Sequence, residues 1–532
     1  MADKIKLTID GKQIEVDPGT TVLQAAQGLN LDVPHYCYHP GLTIAGNCRI
    51  CLVEIEKMPK LATSCTTLSA DGMVVRTCGP KVEEGRRAVM EFLLANHPLD
   101  CPICDQAGEC KLQEFSFEHG AGGSRFAEEK IKGFKHQPIG PHVLLDTERC
   151  IVCTRCVRFC DEVSRTGELG VFQRGVLSYI GTSPGRDLDN PYSGNTVDIC
   201  PVGALTLKEF RFKKRVWDLK DVPSVCGSCA RGCNVNLGTA DNNIQRITPR
   251  ENPEVNQWWM CDEGRLSYEA LHAVPRLTSA QIREKGAVSA VAWPKALDLL
   301  ASRLKAARPG AVVAIAPASL TLEDLHLLKR LFDEAIESGE IIVPELLRGE
   351  DDALLIRADK TPNAAGARLM GLEVDRGNHR RAALMQKALA GGLDVLFLLG
   401  DEAMPPADLR AIHGKTFICC FTPFDGAAAA ASDLIIPAAA YGEFDGTWVN
   451  FQGRAQRVRR GLTPKAIALE GWFMLAEVMK RLGAPAASSS YSPYSSAADV
   501  LEEIARQVPG FKALSPQEHG EHGVLGSMGV AL

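Results

Sequence analysis

Apolar and polar positions alternate from the start of the chain: Ile5, Leu7 and Ile9 share one face, Asp10-Gly11 turns the backbone, and Ile14 and Val16 resume the pattern. A period of two broken by an Asp-Gly step predicts a β-hairpin. Thr20 or Thr21 then caps a short helix through Val22, Leu23 and Ala26. Arg86 to Ala95 carries a helical apolar stripe, and Val235 to Leu237 with Ile244 to Ile247 reads as a second hairpin. The polar, glycine-bearing stretch 118–140 reads as linker. Beyond residue 285 the pattern changes. Val312 to Ala316, Val395 to Leu399 and Phe417 to Phe421 are short apolar runs of buried strands, whereas 293–306, 320–336 and 467–481 have helical periods. That alternation predicts an α/β domain with a largely parallel sheet. The serine-rich stretch 483–498 is low-complexity linker, followed by a short helix, Val500 to Gln507, and a tail.

Cysteine spacing changes the picture most. Fifteen of the nineteen cysteines, all before residue 262, sort with one histidine into four groups of four. Cys150, Cys153 and Cys156 form C-x2-C-x2-C, and a distant Cys200 precedes Pro201, which is the segmented way a [4Fe-4S] cube is held. Cys226, Cys229, Cys233 and Cys261 are a second four-thiolate set, whose spacing alone suits either a cube or zinc. Cys37, Cys48, Cys51 and Cys65 are related to the plant-type [2Fe-2S] spacing with a wider first gap. His97, Cys101, Cys104 and Cys110 form the remaining set. There His97 supplies the fourth ligand that three thiolates lack, and the competing readings are a helix-capping histidine or a structural zinc site of three cysteines and one histidine. Cys78, Cys160, Cys419 and Cys420 fall outside the sets, and Cys160 reads as a small buried hydrophobe.

Composition excludes several classes. A length of 532 residues predicts roughly three or four domains. The formal charge of -6, from 59 basic and 65 acidic residues, comes without a basic stripe interleaved with aromatics, so nucleic acid is not an expected partner. The first residues lack the apolar core of a secretory signal, and no apolar run reaches the length of a membrane span, which predicts a cytoplasmic chain. In a reducing compartment, motif-grouped cysteines point to metal rather than disulfides. No G-x-G-x-x-G follows a strand and no catalytic triad is visible, so no nicotinamide, flavin or triad chemistry is expected of this chain itself.

The order of modules resembles a known family. Gly46-Asn47-Cys48-Arg49-Ile50-Cys51-Leu52-Val53-Glu54, then His97-x3-Cys101-x2-Cys104-x5-Cys110, then Arg149-Cys150-Ile151-Val152-Cys153-Thr154-Arg155-Cys156-Val157-Arg158 is similar to the large iron-sulfur (G-type) subunit of bacterial NADH-quinone oxidoreductase, respiratory complex I. From Cys226 onward the chain resembles molybdopterin oxidoreductases, and Glu443-x2-Gly446-Thr447-x2-Asn450-x2-Gly453-Arg454 is similar to their pterin-domain segment. Two departures argue against a working pterin site. Cys261-Asp262-Glu263-Gly264-Arg265 has a carboxylate where those enzymes carry lysine, and the only later cysteines, Cys419 and Cys420, sit in an apolar run.

The resemblance implies a multidomain α/β architecture. Its expected parts are a [2Fe-2S] ferredoxin-like (β-grasp) domain over 1–79, a [4Fe-4S] module with one histidine and three cysteine ligands over 80–120, and a [4Fe-4S] ferredoxin-like module over 121–218. A [4Fe-4S] domain of molybdopterin-oxidoreductase type over 219–275, an α/β molybdopterin-oxidoreductase-like domain over 276–482, and a linker, short helix and tail over 483–532 complete the set. It implies one [2Fe-2S] and three [4Fe-4S] clusters, with no molybdopterin expected. The implied partners are a flavin/NADH-binding subunit, a small [2Fe-2S] subunit and quinone-side peripheral-arm subunits. The implied place is a peripheral arm on the cytoplasmic face of the cell membrane. Electrons would enter at the Cys37 set, pass to the Cys150 set and then the His97 set, and leave toward quinone, with the Cys226 set off the main path. The competing readings are the catalytic or electron-transfer subunit of a formate dehydrogenase or of an NAD-reducing hydrogenase, and a multi-zinc structural protein.

Overall fold

A computed structural model describes residues 4–284, 286–483, 494–511, 520 and 522–525. Most of the expected serine-rich linker (484–493) and most of the tail lie outside the described residues. The chain divides into two compact units, Met1–Leu219 and Lys220–Leu532.

In the first unit the alternating N-terminal segments pair as the hairpin Ile5–Ile9 with Lys12–Val16. It extends into a five-stranded sheet in which Ile5–Ile9 runs parallel to Met73–Arg76, followed by Leu52–Ile55 and Ala62–Thr63. Thr21 is the residue that caps the following helix, Val22–Gly28. Its hydroxyl accepts from Gln24 N at 3.3 Å while Gln24 accepts from Thr21 N at 3.0 Å. Leu7, Ile9, Val22, Leu23, Val53 and Val75 meet between helix and sheet. The helix expected from Arg86 starts at Pro80, where a proline costs no hydrogen bond, and ends at Ala95.

The stretch 118–140 differs from a free linker. The helix Lys111–His119 occupies its start, and the backbone beyond is strapped to the preceding helix end. Lys130 Nζ donates to the carbonyls of Leu94 and Ala95 at 2.8 Å each, and Ile131 N donates to Asn96 Oδ1 at 3.1 Å. An ammonium is favoured there because the last carbonyls of a helix have no partners within the helix. Composition could not reveal this, since the strap works through three hydrogen bonds to residues some 35 positions away.

The second unit opens with a three-stranded antiparallel sheet, Lys220–Val225, Asn234–Ala240 and Asn243–Pro249. The alternation beyond 285 is realised as an eight-stranded sheet. From Leu434–Pro437 it runs parallel through Phe417–Thr422, Val395–Leu399, Val312–Ile315, Glu340–Pro344 and Val374–Asp375, with Ala280–Glu284 and Ala287–Val291 added antiparallel. The central runs are apolar throughout because helices cover both faces. Trp293–Ala306, Leu322–Ala335, Gly471–Leu482 and Ala497–Gln507 pack on one face, and His379–Leu389 with Pro406–Ile412 on the other. Cys419 and Cys420 are buried in this sheet, one toward each face. Among the described residues no helix is long and apolar enough to cross a membrane.

Candidate metal centres

The Cys37, Cys48, Cys51 and Cys65 thiols converge at one edge of the N-terminal sheet. Cys37 N donates to Cys48 Sγ at 3.4 Å, and Cys51 Sγ lies 3.4 Å from Cys65 Sγ. Hydrogen bonding from Cys48 and Cys65 pushes the Cys37 thiol well down, and that from Cys65 pushes Cys51 down. Cys48 and Cys65 are pushed up in return. Four thiols so close cannot all ionise unless a cation joins them, which is the condition a metal centre meets. The approach strains the backbone: Gly46 has φ +65, with room for no Cβ because one would lie 2.7 Å from Thr66 Cγ2, and Arg49 has φ 59.

In the second set Cys101 opens a single 3-10 turn, Cys104 follows it, and Cys110 immediately precedes the helix Lys111–His119. Burial, with the Cys104 and Cys200 thiols nearby, raises Cys110 to about 11. Arg215 ties the turn down by donating to the carbonyls of Pro102 and Cys104 at 2.7 and 2.5 Å. Gly203, which no sequence motif marks, comes from the segment after Cys200, and a Cβ there would stand 2.2 Å from Cys104 Sγ. His97 sits just past the helix end at Asn96. Burial pushes its imidazole down to about 4, leaving it neutral with a lone pair to give. Cys104 lies within electrostatic reach of Cys101, and Cys110 within reach of Cys104; among the described residues His97 makes no hydrogen bond to any of them.

The Cys150, Cys153, Cys156 and Cys200 thiols line one small enclosed cavity, closed by Ile151, Ile180, Val202 and Leu205. Burial first, then mutual repulsion, raises Cys153 to about 11 and drives Cys156 well up. Inside the tight loop, Val152 and Thr154 take left-handed φ values of 50 and 61, a conformation β-branched residues avoid and one that clusters at functional sites. Cys160 is fully buried and does not line this cavity.

In the second unit Cys226 follows directly on the strand Lys220–Val225, and its N–H donates to the Cys233 carbonyl at 2.8 Å. Cys261 caps the helix Asp262–Leu266, its Sγ accepting from Gly264 N at 3.4 Å. All four thiols of this set are buried, and burial raises Cys226 to about 11. A Cβ on Gly264 would lie 2.9 Å from Cys226 Sγ. Each set thus offers sulfur donors, most of them buried, that need a shared positive partner, a good fit to thiolate-held iron. Among the described residues no three His, Cys, Asp or Glu groups are placed to hold a single metal ion.

A cavity of about 670 Å³ opens beyond the carboxyl ends of the parallel strands, where α/β sheets bind ligands. Its polar lining is acidic. Glu263, Asp324, Asp401, Asp445 and Glu470 line it against the cations Arg348 and Lys360; Lys360 is held by Glu263 at 2.6 Å, and Arg460, outside the lining, pairs with Glu470 at 3.3 Å and Asp445 at 4.0 Å. A pterin carrying phosphate needs donors and positive charge, so this lining does not fit that cofactor.

Family profiles match along the chain in the order of these sites. They are a 2Fe-2S iron-sulfur cluster binding domain over residues 2–79, an NADH-ubiquinone oxidoreductase-G iron-sulfur binding region over 86–125, and the ferredoxin-like domain of NADH-quinone oxidoreductase subunit 3 over 140–206. A molybdopterin oxidoreductase Fe4S4 domain matches 219–273 and a molybdopterin oxidoreductase domain 358–481. Fold and sites therefore define an iron-sulfur protein with a molybdopterin-oxidoreductase-type second half. The NADH-quinone oxidoreductase G subunit of Rickettsia conorii is 33% identical over 589 aligned residues, covering 89% of this chain and 87% of that one. The chain belongs to the family of NADH-quinone oxidoreductase G subunits. The G subunit of Streptomyces coelicolor is 41% identical over 64% of this chain and 40% of its own length. The mitochondrial NADH dehydrogenase [ubiquinone] iron-sulfur protein 1 of Solanum tuberosum is 42% identical over 62% of this chain and 45% of its own length. Against these last two the match spans under half of the relative.

Proposed function

We propose that the chain is an electron-transfer subunit of an NADH-quinone oxidoreductase, taking electrons from a flavin/NADH-binding subunit and passing them toward quinone-side subunits. The convergence of thiols in four sets, in a chain of this family, carries the reading. The ligand sets are Cys37, Cys48, Cys51 and Cys65 for a [2Fe-2S] cluster, and three [4Fe-4S] sets: His97, Cys101, Cys104 and Cys110; Cys150, Cys153, Cys156 and Cys200; and Cys226, Cys229, Cys233 and Cys261.

Clusters held entirely by the protein supply one-electron transfer and no open position for substrate. The chain's own residues bring thiols together, exclude water from them and fix their loops. A small [2Fe-2S] subunit is a further partner, and the place is a peripheral arm on the cytoplasmic membrane face. Metal analysis with low-temperature EPR on anaerobically purified, dithionite-reduced chain tests this. About fourteen irons, two plus three times four, without molybdenum or tungsten are expected. Stoichiometric molybdenum would favour a formate-dehydrogenase-like enzyme, and zinc in place of iron would defeat the electron-transfer reading.

A further inference from the structure

Two arginines of the third set reach into the loop that carries Cys37. Arg158 Nη2 donates to the Cys37 carbonyl at 2.6 Å and to the Cys153 carbonyl at 3.4 Å. One guanidinium nitrogen therefore touches the peptide groups of two thiol-bearing residues from different sets. Its Nη1 donates to the Thr43 carbonyl, and its Nε to Thr154 Oγ1 at 3.4 Å. Arg155 repeats the arrangement one residue away on each side. Its Nη2 donates to the Tyr38 carbonyl, next to Cys37, and its Nη1 donates at 3.0 Å to the Ile199 carbonyl, next to Cys200. From the opposite side, Asn47 Nδ2 donates at 3.1 Å to the Val152 carbonyl.

A planar fork with five donors can hold several carbonyls at fixed angles, which a lysine cannot do. Among the described residues neither arginine forms a direct ion pair, and Glu162, which shares Thr43 with Arg158, accepts from Thr43 N at 2.8 Å and from the Thr43 hydroxyl. Arg155 lies within electrostatic reach of the Cys37, Cys153 and Cys200 thiols. A thiolate-held iron cluster gains a negative charge on reduction, and a nearby fixed cation in a partly buried site favours that state.

We propose that Arg155 and Arg158 are positioning residues shared by the first and third centres. They lock the Cys37 loop to the Cys150–Cys156 loop and hold two positive charges without a direct ion pair between them, so that both reduction potentials depend on the same pair of side chains. This rests on the ligand sets proposed above.

The test is an EPR-monitored redox titration of the anaerobically purified full chain, as wild type and with Arg158→Gln, Arg155→Gln or Arg158→Lys. Each Gln variant is expected to disfavour reduction of both the first and third centres by about tenfold, or about 59 mV for one electron. The fourth centre should stay fixed, and Arg158→Lys, which keeps the charge but loses the fork, should recover part of the shift. Separate Gln variants keep the test open if one fails to fold. Full iron content with neither midpoint moved, or only one moved, overturns the sharing. No recovery at all with Lys overturns the role of charge, and full recovery overturns the role of the fork. A wild-type chain without signals from the first and third centres would defeat the ligand assignment itself, and is told apart by needing no variant.

Discussion

Arg276 grips Glu443 through two parallel hydrogen bonds, Nη1 to Oε1 at 2.8 Å and Nη2 to Oε2 at 2.7 Å, with the side chains only 9% and 1% exposed. Glu443 also accepts from Ala440 N at 2.9 Å. Removing one partner of such a buried pair strands the other charge, at a cost of about 3–5 kcal/mol. Glu443→Ala should lower the stability of the second unit by that amount. Denaturation of the full chain followed by tryptophan fluorescence reports on it, because five of the six tryptophans lie beyond residue 219. An unchanged midpoint would mean the pair contributes nothing net.

The same segment shows what the sequence could and could not reveal. Glu443, Thr447, Asn450 and Arg454 stood out by resemblance to a pterin-domain motif, yet their polar groups serve the chain itself. Thr447 Oγ1 donates to Glu323 at 2.9 Å, Asn450 Oδ1 accepts from Gln452 N and Arg454 N at 3.0 and 2.9 Å, and Asn450 Nδ2 donates to the Arg231 carbonyl inside the fourth set at 3.3 Å. The parallel sheet and its helices were legible because each apolar run is local and carries its own period. The thiol sets were legible because motif spacing is local too. Arg155, Arg158, Gly203 and Lys360 were not, because each acts on a partner far away in sequence and no periodicity marks such a meeting.

Gly203 is the simplest case to test. A methyl group at that position would need the space 2.2 Å from Cys104 Sγ and 3.1 Å from Gln106 Cβ. Gly203→Ala should therefore displace Cys104 and empty the second centre, lowering iron by about four atoms per chain. The EPR signal of the first centre, whose thiols lie at the edge of the N-terminal sheet, should persist. Full iron content in the variant would show that the Cys104 loop can yield.

Stability of the second unit should depend on pH through Glu323 and Asp324. Burial pushes Glu323 up to about 7 and Asp324 up to about 6. The folded chain therefore binds more protons than the unfolded chain above the ordinary carboxylate range. The stabilisation is complete below that range and is lost as pH rises through about 6 to 7. For Glu323 the loss is on the order of 3 kcal/mol, from about 1.4 kcal/mol per pH unit. Denaturation of the full chain at pH 5 and pH 8 should show higher stability at pH 5, and Glu323→Gln should shrink the difference to the part Asp324 supplies. An equal or larger difference in the variant would exclude Glu323 as its source.

Lys360 returns a cation to a place where the local motif lacks one. Glu263 follows Cys261 where related pterin enzymes carry lysine, and its negative charge is felt by the Cys226 and Cys261 thiols. Lys360, 97 positions later, meets it at 2.6 Å with a side chain only 9% exposed, so the pair is neutral overall. Lys360→Met would leave the carboxylate unopposed and should disfavour reduction of the fourth centre by up to about tenfold, or about 59 mV for one electron. Glu263→Gln should shift the midpoint the other way, and the double variant should return it close to wild type. Glu263 is half exposed, so low ionic strength makes the shifts largest and added salt should shrink them. An EPR-monitored titration of the fourth signal in the four proteins decides the matter: shifts of the same sign in the two single variants would show that the two charges do not offset each other.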